Sequence, residues 1–361
     1  MKIGILTFHC AHNYGAVLQA YATQEYLKSL GHEAFIINDI PSFLQGYKRS
    51  KWQSCIHKRN PFKTFIELWN EAKLYKIRRR RWDGFNDFIN YRLNLTTEAG
   101  IPSDLDAYIV GSDQVWNYNI TKGYYPAYFC NFPFHKEDRL YIAYAASMEN
   151  HDLTQSKKQE LQVLLKNFDS IGVREREMID LLSPLVDKKI HHTIDPTLLA
   201  SKNIWENLVC DVENLKDRYV LLYKVWSDRK SRDVAERIAA ERKCKVIELV
   251  SWLSDGTNLY QAASPEEFVS LIKNAECVVT DSFHGTSFSL IFNKDFYFVK
   301  LSDKQNRAIS LLQSLGLGER VLEDFVSING CDIDYNEVNE KLSYLQKTSR
   351  DFLNKSLDLK K

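Results

Sequence analysis

Val278-Val-Thr-Asp-Ser-Phe-His-Gly-Thr-Ser-Phe-Ser-Leu-Ile-Phe-Asn293 is the stretch from which the fold of this chain can be read. Together with Cys277, its opening residues form a short apolar run of the kind found in strands buried on both faces, up to Thr280. A polar turn follows, and a helix runs from about Gly285 to Phe292. A strand that turns straight into a helix belongs to a parallel sheet, and such turns lie at the carboxyl end of the sheet, where α/β proteins bind ligands. Free N–H groups at the start of the helix attract an anion, and Gly285 lets a ligand come close to the chain. His284 is placed to hold or protonate a phosphate oxygen, or equally to act as a capping side chain for the turn.

The same alternation spreads in both directions. Upstream lie a strand at Arg218–Val225, a helix from about Asp228 to Arg242, a strand at Lys245–Val250 and a helix starting near Pro265; downstream comes the strand Phe296–Val299. The chain opens with another strand, helix, strand unit: Lys2–Phe8, Gly15–Leu30 stopped by Gly31, and His32–Asp39. Strands at Ala107–Val110, Leu140–Ala145, Ser170–Val173 and Ile190–Thr193 continue that first series, with helices between Leu153 and Phe168 and between Arg174 and Leu182. Two α/β series of this size predict two Rossmann-like domains facing a central cleft, at 1–200 and 216–330. The helix at 331–361 is expected to pack back on the first domain.

Length and charge agree with that layout. At roughly 100 to 200 residues per domain, 361 residues make two domains. With 48 Lys+Arg against 47 Asp+Glu, the net charge of +1 excludes a chain whose task is to coat a polyanion, and no nucleic-acid partner is expected. The N-terminus carries no signal-peptide pattern and no run of about 18 apolar residues occurs, so a cytoplasmic protein is expected. Seven cysteines, widely spaced and without a CxxC pair, read as reduced and mostly buried thiols.

Two further loops follow strands of the first domain. Val110-Gly-Ser-Asp-Gln-Val-Trp-Asn117 supplies Asp113 as a base for a sugar hydroxyl, or else as a helix cap, with Gln114 and Asn117 as hydrogen-bonding partners. Eight aromatic residues in the 21 positions from Gln114 to Phe134, Trp116 among them, suit the apolar face of a sugar ring or a satellite core. The first loop brings His9, His12, Asn13 and Tyr14 to the cleft. Its two histidines lack a third ligand at metal spacing, so no metal is expected, and neither GxGxxG nor GxxxxGK[ST] occurs in the chain. Residues Lys48–Trp82 hold twelve Lys/Arg and two acids interleaved with Trp and Phe, the pattern of a basic amphipathic helix. Contact with an anionic membrane surface is the reading, against a solvated helix face balanced by acids elsewhere.

Seven motifs in order make the chain resemble the polysaccharide pyruvyl transferase family: Asn13-Tyr-Gly-Ala-Val-Leu-Gln-Ala20, the 110–117 loop, Tyr144-Ala-Ala-Ser147, Val173-Arg-Glu175, Asp195-Pro-Thr197, Thr280–Ser289 and Arg307. The resemblance implies a GT-B-like fold and transfer of pyruvate from phosphoenolpyruvate, as co-substrate, onto a sugar of a surface polysaccharide precursor as a ketal, with no cofactor or metal. His284 would bind the donor phosphate and act as acid, and Asp113 would be the base. Ser282, Gly285 and Thr286 would line the donor site, and Asn13, Tyr14, Gln114, Trp116 and Asn117 would hold the acceptor, which on this reading is lipid-linked at the inner membrane face. Some members carry an arginine two residues before the histidine, where this chain has Ser282; Lys224 and Arg307 are the cations nominated in its place. Two alternatives share the fold or the ligand: a nucleotide-sugar glycosyltransferase and a non-catalytic glycan-binding protein. The first lacks its usual glutamate pair, since Glu266 and Glu267 are followed eight positions on by Asn274 and Ala275.

Overall fold

The computed structural model describes residues 1–45, 52–56, 60–98, 100–134, 137–148, 153–213, 215–251, 259–302, 305–323 and 332–359. Lys48, at the start of the basic segment, and Cys331 lie outside them. The first domain runs β1 (Lys2–Leu6), α1 (Tyr14–Ser29), β2 (Glu33–Ile36), α2 (Pro61–Arg92), β3 (Ala107–Val110), β4 (Leu140–Ala146), α3 (Gln155–Leu165), β5 (Ser170–Val173), α4 (Glu177–Leu182) and β6 (Ile190–His192). Two short helices, α5 (Pro196–Leu199) and α6 (Lys202–Glu206), lead into the second domain: β7 (Tyr219–Lys224), α7 (Lys230–Arg242), β8 (Lys245–Val250), α8 (Pro265–Asn274), β9 (Cys277–Thr280), α9 (Phe283–Ile291), β10 (Phe296–Val299), α10 (Asn306–Ser314) and β11 (Val321–Leu322). The last helix, α11 (Tyr335–Leu357), returns to the first domain. There Ser349 Oγ accepts from the Ile194 amide at 3.0 Å, and the Phe352 ring lies against Tyr144.

Both sheets are parallel throughout, ordered β2-β1-β3-β4-β5-β6 and β11-β10-β9-β7-β8. Each is a doubly wound sheet in the 2-1-3-4-5 order, with its topological switch point between β1 and β3 in the first domain and between β7 and β9 in the second. Strands such as β4, buried at all seven positions, are apolar along their whole length because helices cover both faces.

The domains share one apolar core. Residues of β1, α1 and β4 pack in the same cluster as residues of β7, α8 and α9. Tyr14 stacks on Phe268 with ring centroids 4.6 Å apart, and its hydroxyl donates to the Ala263 carbonyl at 2.8 Å. Helix α2, inserted between β2 and β3, reinforces the junction. Arg81 is buried and donates to the carbonyls of Val250, Ser251 and Gln261, while Arg80 pairs with Glu213 and Glu267 and Arg92 with Glu266. Arg78 pairs with Glu71 and Arg79 with Asp83. The arginine run read from the sequence as a basic surface is therefore engaged within the protein, two of its members across the domain junction. None of the six described cysteines forms a disulfide.

Candidate active site

The loops after β1, β3, β7 and β9, the strands flanking the two switch points, face one another across an open cleft. Its walls include Asn13, Asp113, Gln114, Trp226, Asp281, Ser282, His284, Gln305 and Arg307. Three helices begin there. Asn13 caps α1, accepting from the Ala16 amide at 3.3 Å; Ser282 caps α9, accepting from Gly285 at 3.3 Å; and Gln305 precedes α10, its side chain donating to the Asp281 carbonyl at 2.9 Å. First-turn N–H groups have no intrahelical acceptor, so three helix N-termini turn their positive ends toward one space.

His284 is held between the domains. Its ring covers Gly15, where a β-carbon would overlap the imidazole, and its Nε2 lies 3.7 Å from Asp195 Oδ2, an ion-pair rather than a hydrogen-bond distance. Asp195 follows β6 and is completely buried. It receives Arg174 Nη1 at 2.7 Å and Thr197 Oγ1 at 2.8 Å, with Ser112 Oγ at 3.0 Å. Arg174 also donates to Ser147 Oγ at 3.0 Å, and Ser147 donates to Glu175 at 2.6 Å. Burial by itself would raise the Asp195 carboxyl; His284, the Arg174 guanidinium and the Thr197 amide outweigh it and hold the group far below the usual carboxylate range. Asp195 is therefore an anion fixed behind the imidazole.

Arg307 reaches the cleft from α10. With its carbonyl oxygen turned that way, the Gln114 amide accepts from Arg307 Nη1 and Nη2 at 3.2 and 2.8 Å, and Glu175 lies 4.0 Å from Arg307 Nε. Trp226, 46 % exposed, stands on the cleft wall; its amide and that of Val225 donate to the Asp281 carboxylate at 2.8 and 2.6 Å. Burial outweighs those two bonds and pushes Asp281 up to about 6. Its neutral form is thus favoured by folding, a stabilisation present below the unfolded value near 3.9 and lost as pH rises through about 6.

The structure brings together Asn13, Asp113, Gln114, Ser282, His284 and Arg307 and turns the other nominated residues elsewhere. Lys224 points away from the cleft: its Nζ pairs with Glu248 at 2.9 Å, because alternate residues of β7 face opposite sides and Tyr223 takes the cleft side. Tyr14 belongs to the shared core. Trp116 stacks on Phe129 and donates to the Tyr128 carbonyl, so the aromatic run is a satellite core here. Asn117 is buried against Gln114 and accepts from the amides of Asn119 and Ile120. Gly285 faces Thr280 and Tyr223, so it serves close packing of α9 on β9 and β7 and not ligand approach, and Thr286 is buried with its hydroxyl on the Ser282 carbonyl. Arg174, Glu175 and Asp195 stood in motifs of the sequence without a role, and Trp226 carried no local signal. Among the described residues, no three His, Cys, Asp or Glu side chains stand close enough to hold a metal ion.

Gly15→Ala tests the arrangement directly. The added methyl pushes the His284 ring off Asp195, so an anionic ligand loses its stabilising effect on the protein and turnover falls by about a hundredfold, while the unliganded midpoint stays within a few degrees of wild type. A variant with unchanged ligand response would show that His284 does not need this seat.

Two doubly wound parallel domains closing on a cleft lined by helix N-termini make a GT-B-like architecture. Among solved structures, the chain is similar to the UDP-GlcNAc 2-epimerase of Neisseria meningitidis bound to UDP-GlcNAc, with 11 % identity, 99 % of each chain covered and a TM-score of 0.47. It is similar also to the UDP-GlcNAc 2-epimerase of Methanocaldococcus jannaschii in complex with UDP-GlcNAc and UDP, with 14 % identity, 98 % of this chain and 93 % of that one covered and a TM-score of 0.44. The E. coli ADP-heptose LPS heptosyltransferase II matches at 12 % identity, over 97 % of this chain and 100 % of that one, with a TM-score of 0.37. No curated protein matches the sequence significantly. The chain belongs to the polysaccharide pyruvyl transferase family, whose model matches residues 13–303, and family membership makes it a transferase of polysaccharide pyruvylation. Among the described residues, no helix is long and apolar enough to cross a membrane.

Proposed function

We propose that the protein transfers the pyruvate unit of phosphoenolpyruvate onto two hydroxyls of a sugar in a polysaccharide precursor, forming a ketal. The observation that carries this reading is the convergence of three helix N-termini, His284 and Arg307 on one cleft. Phosphoenolpyruvate brings a phosphate and a carboxylate, and the cleft offers backbone N–H groups and a guanidinium fork to both. This answers the loss of an arginine at Ser282 and the withdrawal of Lys224.

In this mechanism a proton from His284 adds to the methylene carbon, which becomes a methyl group and leaves a cationic centre at the carbon bearing phosphate. A sugar hydroxyl attacks that carbon as Asp113 takes its proton. The second hydroxyl then attacks as the carbon–oxygen bond to phosphate breaks. The proton held by Asp113 leaves on inorganic phosphate and that of the second hydroxyl restores His284, so donor and diol become ketal and phosphate. Trp226 offers the acceptor ring an apolar face.

A thermal titration tests the donor. Phosphoenolpyruvate raises the midpoint by mass action, a stabilisation of about 2.7 kcal/mol at a hundred times its Kd, whereas UDP, GDP and CMP leave it unchanged. A response to a nucleotide alone would overturn the reading in favour of a nucleotide-sugar enzyme. Glu266 and Glu267 argue against that outcome, since they pair with Arg92 and Arg80 at the start of α8, and Glu267 closes a capping box with Ser264.

A further inference from the structure

The first turns of α2 project from the body of the protein. No side chain from Pro61 to Asn70 is buried, and Glu71 is the first buried residue of the helix. Phe62, Phe65, Ile66 and Trp69 recur at the spacing that sets them on one helix face, and they are 74, 68, 42 and 57 % exposed. Ile56 and Trp52, just before the helix, are also exposed. Single exposed apolar residues are ordinary, but a group of this size on one projecting element marks a contact surface.

The charge beside this surface selects what it contacts. Lys63, Lys73 and Lys76 are exposed along the same turns, and Lys73 Nζ sits 3.5 Å from the centroid of the Trp69 ring. Of the two acids there, Glu71 is buried against Arg78 and Glu67 pairs with Lys63 at 3.8 Å. Exposed lysines interleaved with Trp and Phe on a projecting helix end are the chemistry of a lipid headgroup layer. The ten residues 61–70 span about 15 Å at 1.5 Å per residue, enough for the aromatic side chains to enter the boundary between headgroups and acyl chains with the helix lying on the surface.

We propose that the projecting start of α2 docks the protein on an anionic lipid bilayer through Phe62, Phe65, Ile66 and Trp69, with Lys63, Lys73 and Lys76 among the headgroups. This moves the membrane contact away from Arg78–Arg81, each of which has a partner within the chain, to the apolar end of the same helix. The inference is independent of the donor and of the chemistry in the cleft.

Sedimentation of the full chain with vesicles tests it. Wild type binds vesicles of equal parts phosphatidylcholine and phosphatidylglycerol at low salt. The triple variant Phe62→Ser, Phe65→Ser, Trp69→Ser binds at least about tenfold more weakly while keeping its thermal midpoint, since the replaced side chains are exposed. The double variant Lys63→Glu, Lys73→Glu loses binding to these vesicles in the same way, because the attraction to phosphatidylglycerol changes sign. Failure of wild type to bind overturns the proposal, and so does a Lys variant that binds as wild type does. A dimer that the triple variant dissociates, with vesicle binding unchanged, would assign the stripe to a second copy of the chain and overturn it equally.

Discussion

Replacing His284 by Ala is expected to lower acceptor-dependent release of phosphate from phosphoenolpyruvate by about a thousandfold, within the range for loss of a general acid. Asp195 lies behind the imidazole, not in front of it, and is held ionised by Arg174 and Thr197. His284 is buried between the domains, with its ring over Gly15 and Nε2 3.7 Å from Asp195, so its removal also costs some stability. The variant therefore unfolds at a somewhat lower midpoint, and its loss of turnover is read at a temperature where it remains folded. Phosphoenolpyruvate should still stabilise it to a reduced degree, since Arg307 and the helix N-termini remain. Full turnover in His284→Ala would sink the assignment of this residue as acid and leave the donor question open, which the titration answers separately.

Arg174→Met should destabilise the protein by about 3–5 kcal/mol at neutral pH, the cost of leaving buried carboxylates without their cation. Asp195, Glu175, Ser112 and Ser147 all turn toward this guanidinium, and all four are buried. The pH dependence gives the test its direction. In the wild type the depressed Asp195 carboxyl contributes stability that is present above the unfolded value near 3.9 and lost as pH falls below it. In Arg174→Met that contribution shrinks to what His284 and Thr197 supply, and the buried Asp195 carboxyl gains by taking up a proton. The gap in midpoint between wild type and variant should accordingly be widest at pH 7 and narrow toward pH 4. Adding Asp195→Asn to Arg174→Met should recover part of the loss, because one stranded charge goes with it. A gap that does not vary with pH would mean that the side chain acts by packing alone.

Both predictions rest on groups whose partners lie far apart in the chain, and that separates what was legible from what was not. The strands Ala107–Val110, Ser170–Val173, Lys245–Val250, Cys277–Thr280 and Phe296–Val299 have the bounds expected of them. Their apolar runs are short, continuous and bounded by polar turns, so local pattern suffices. The two-residue strand Val321–Leu322 went unread, since two residues show no period. Helix α2 begins at Pro61 behind the Asn60 cap and runs 32 residues, yet its arginines gave no sign of turning inward. A basic run looks the same to a local reading whether it faces solvent or a neighbouring domain.

The candidate site divides along the same line. Period-two alternation says that Tyr223 and Lys224 face opposite sides of β7, but which side meets the other domain depends on packing, and Lys224 went to Glu248. The sequence alone determined the two parallel α/β series, the loops at their carboxyl ends and the family, because each is written in residues near one another in the chain. Only the tertiary structure decided that Asp195 stands behind His284, that Gly15 lies beneath it, that Trp226 walls the cleft and that Arg81 clamps the second domain. These are contacts between segments tens to hundreds of residues apart, made by two sheets docking through one shared core, and no local pattern encodes the orientation of that docking.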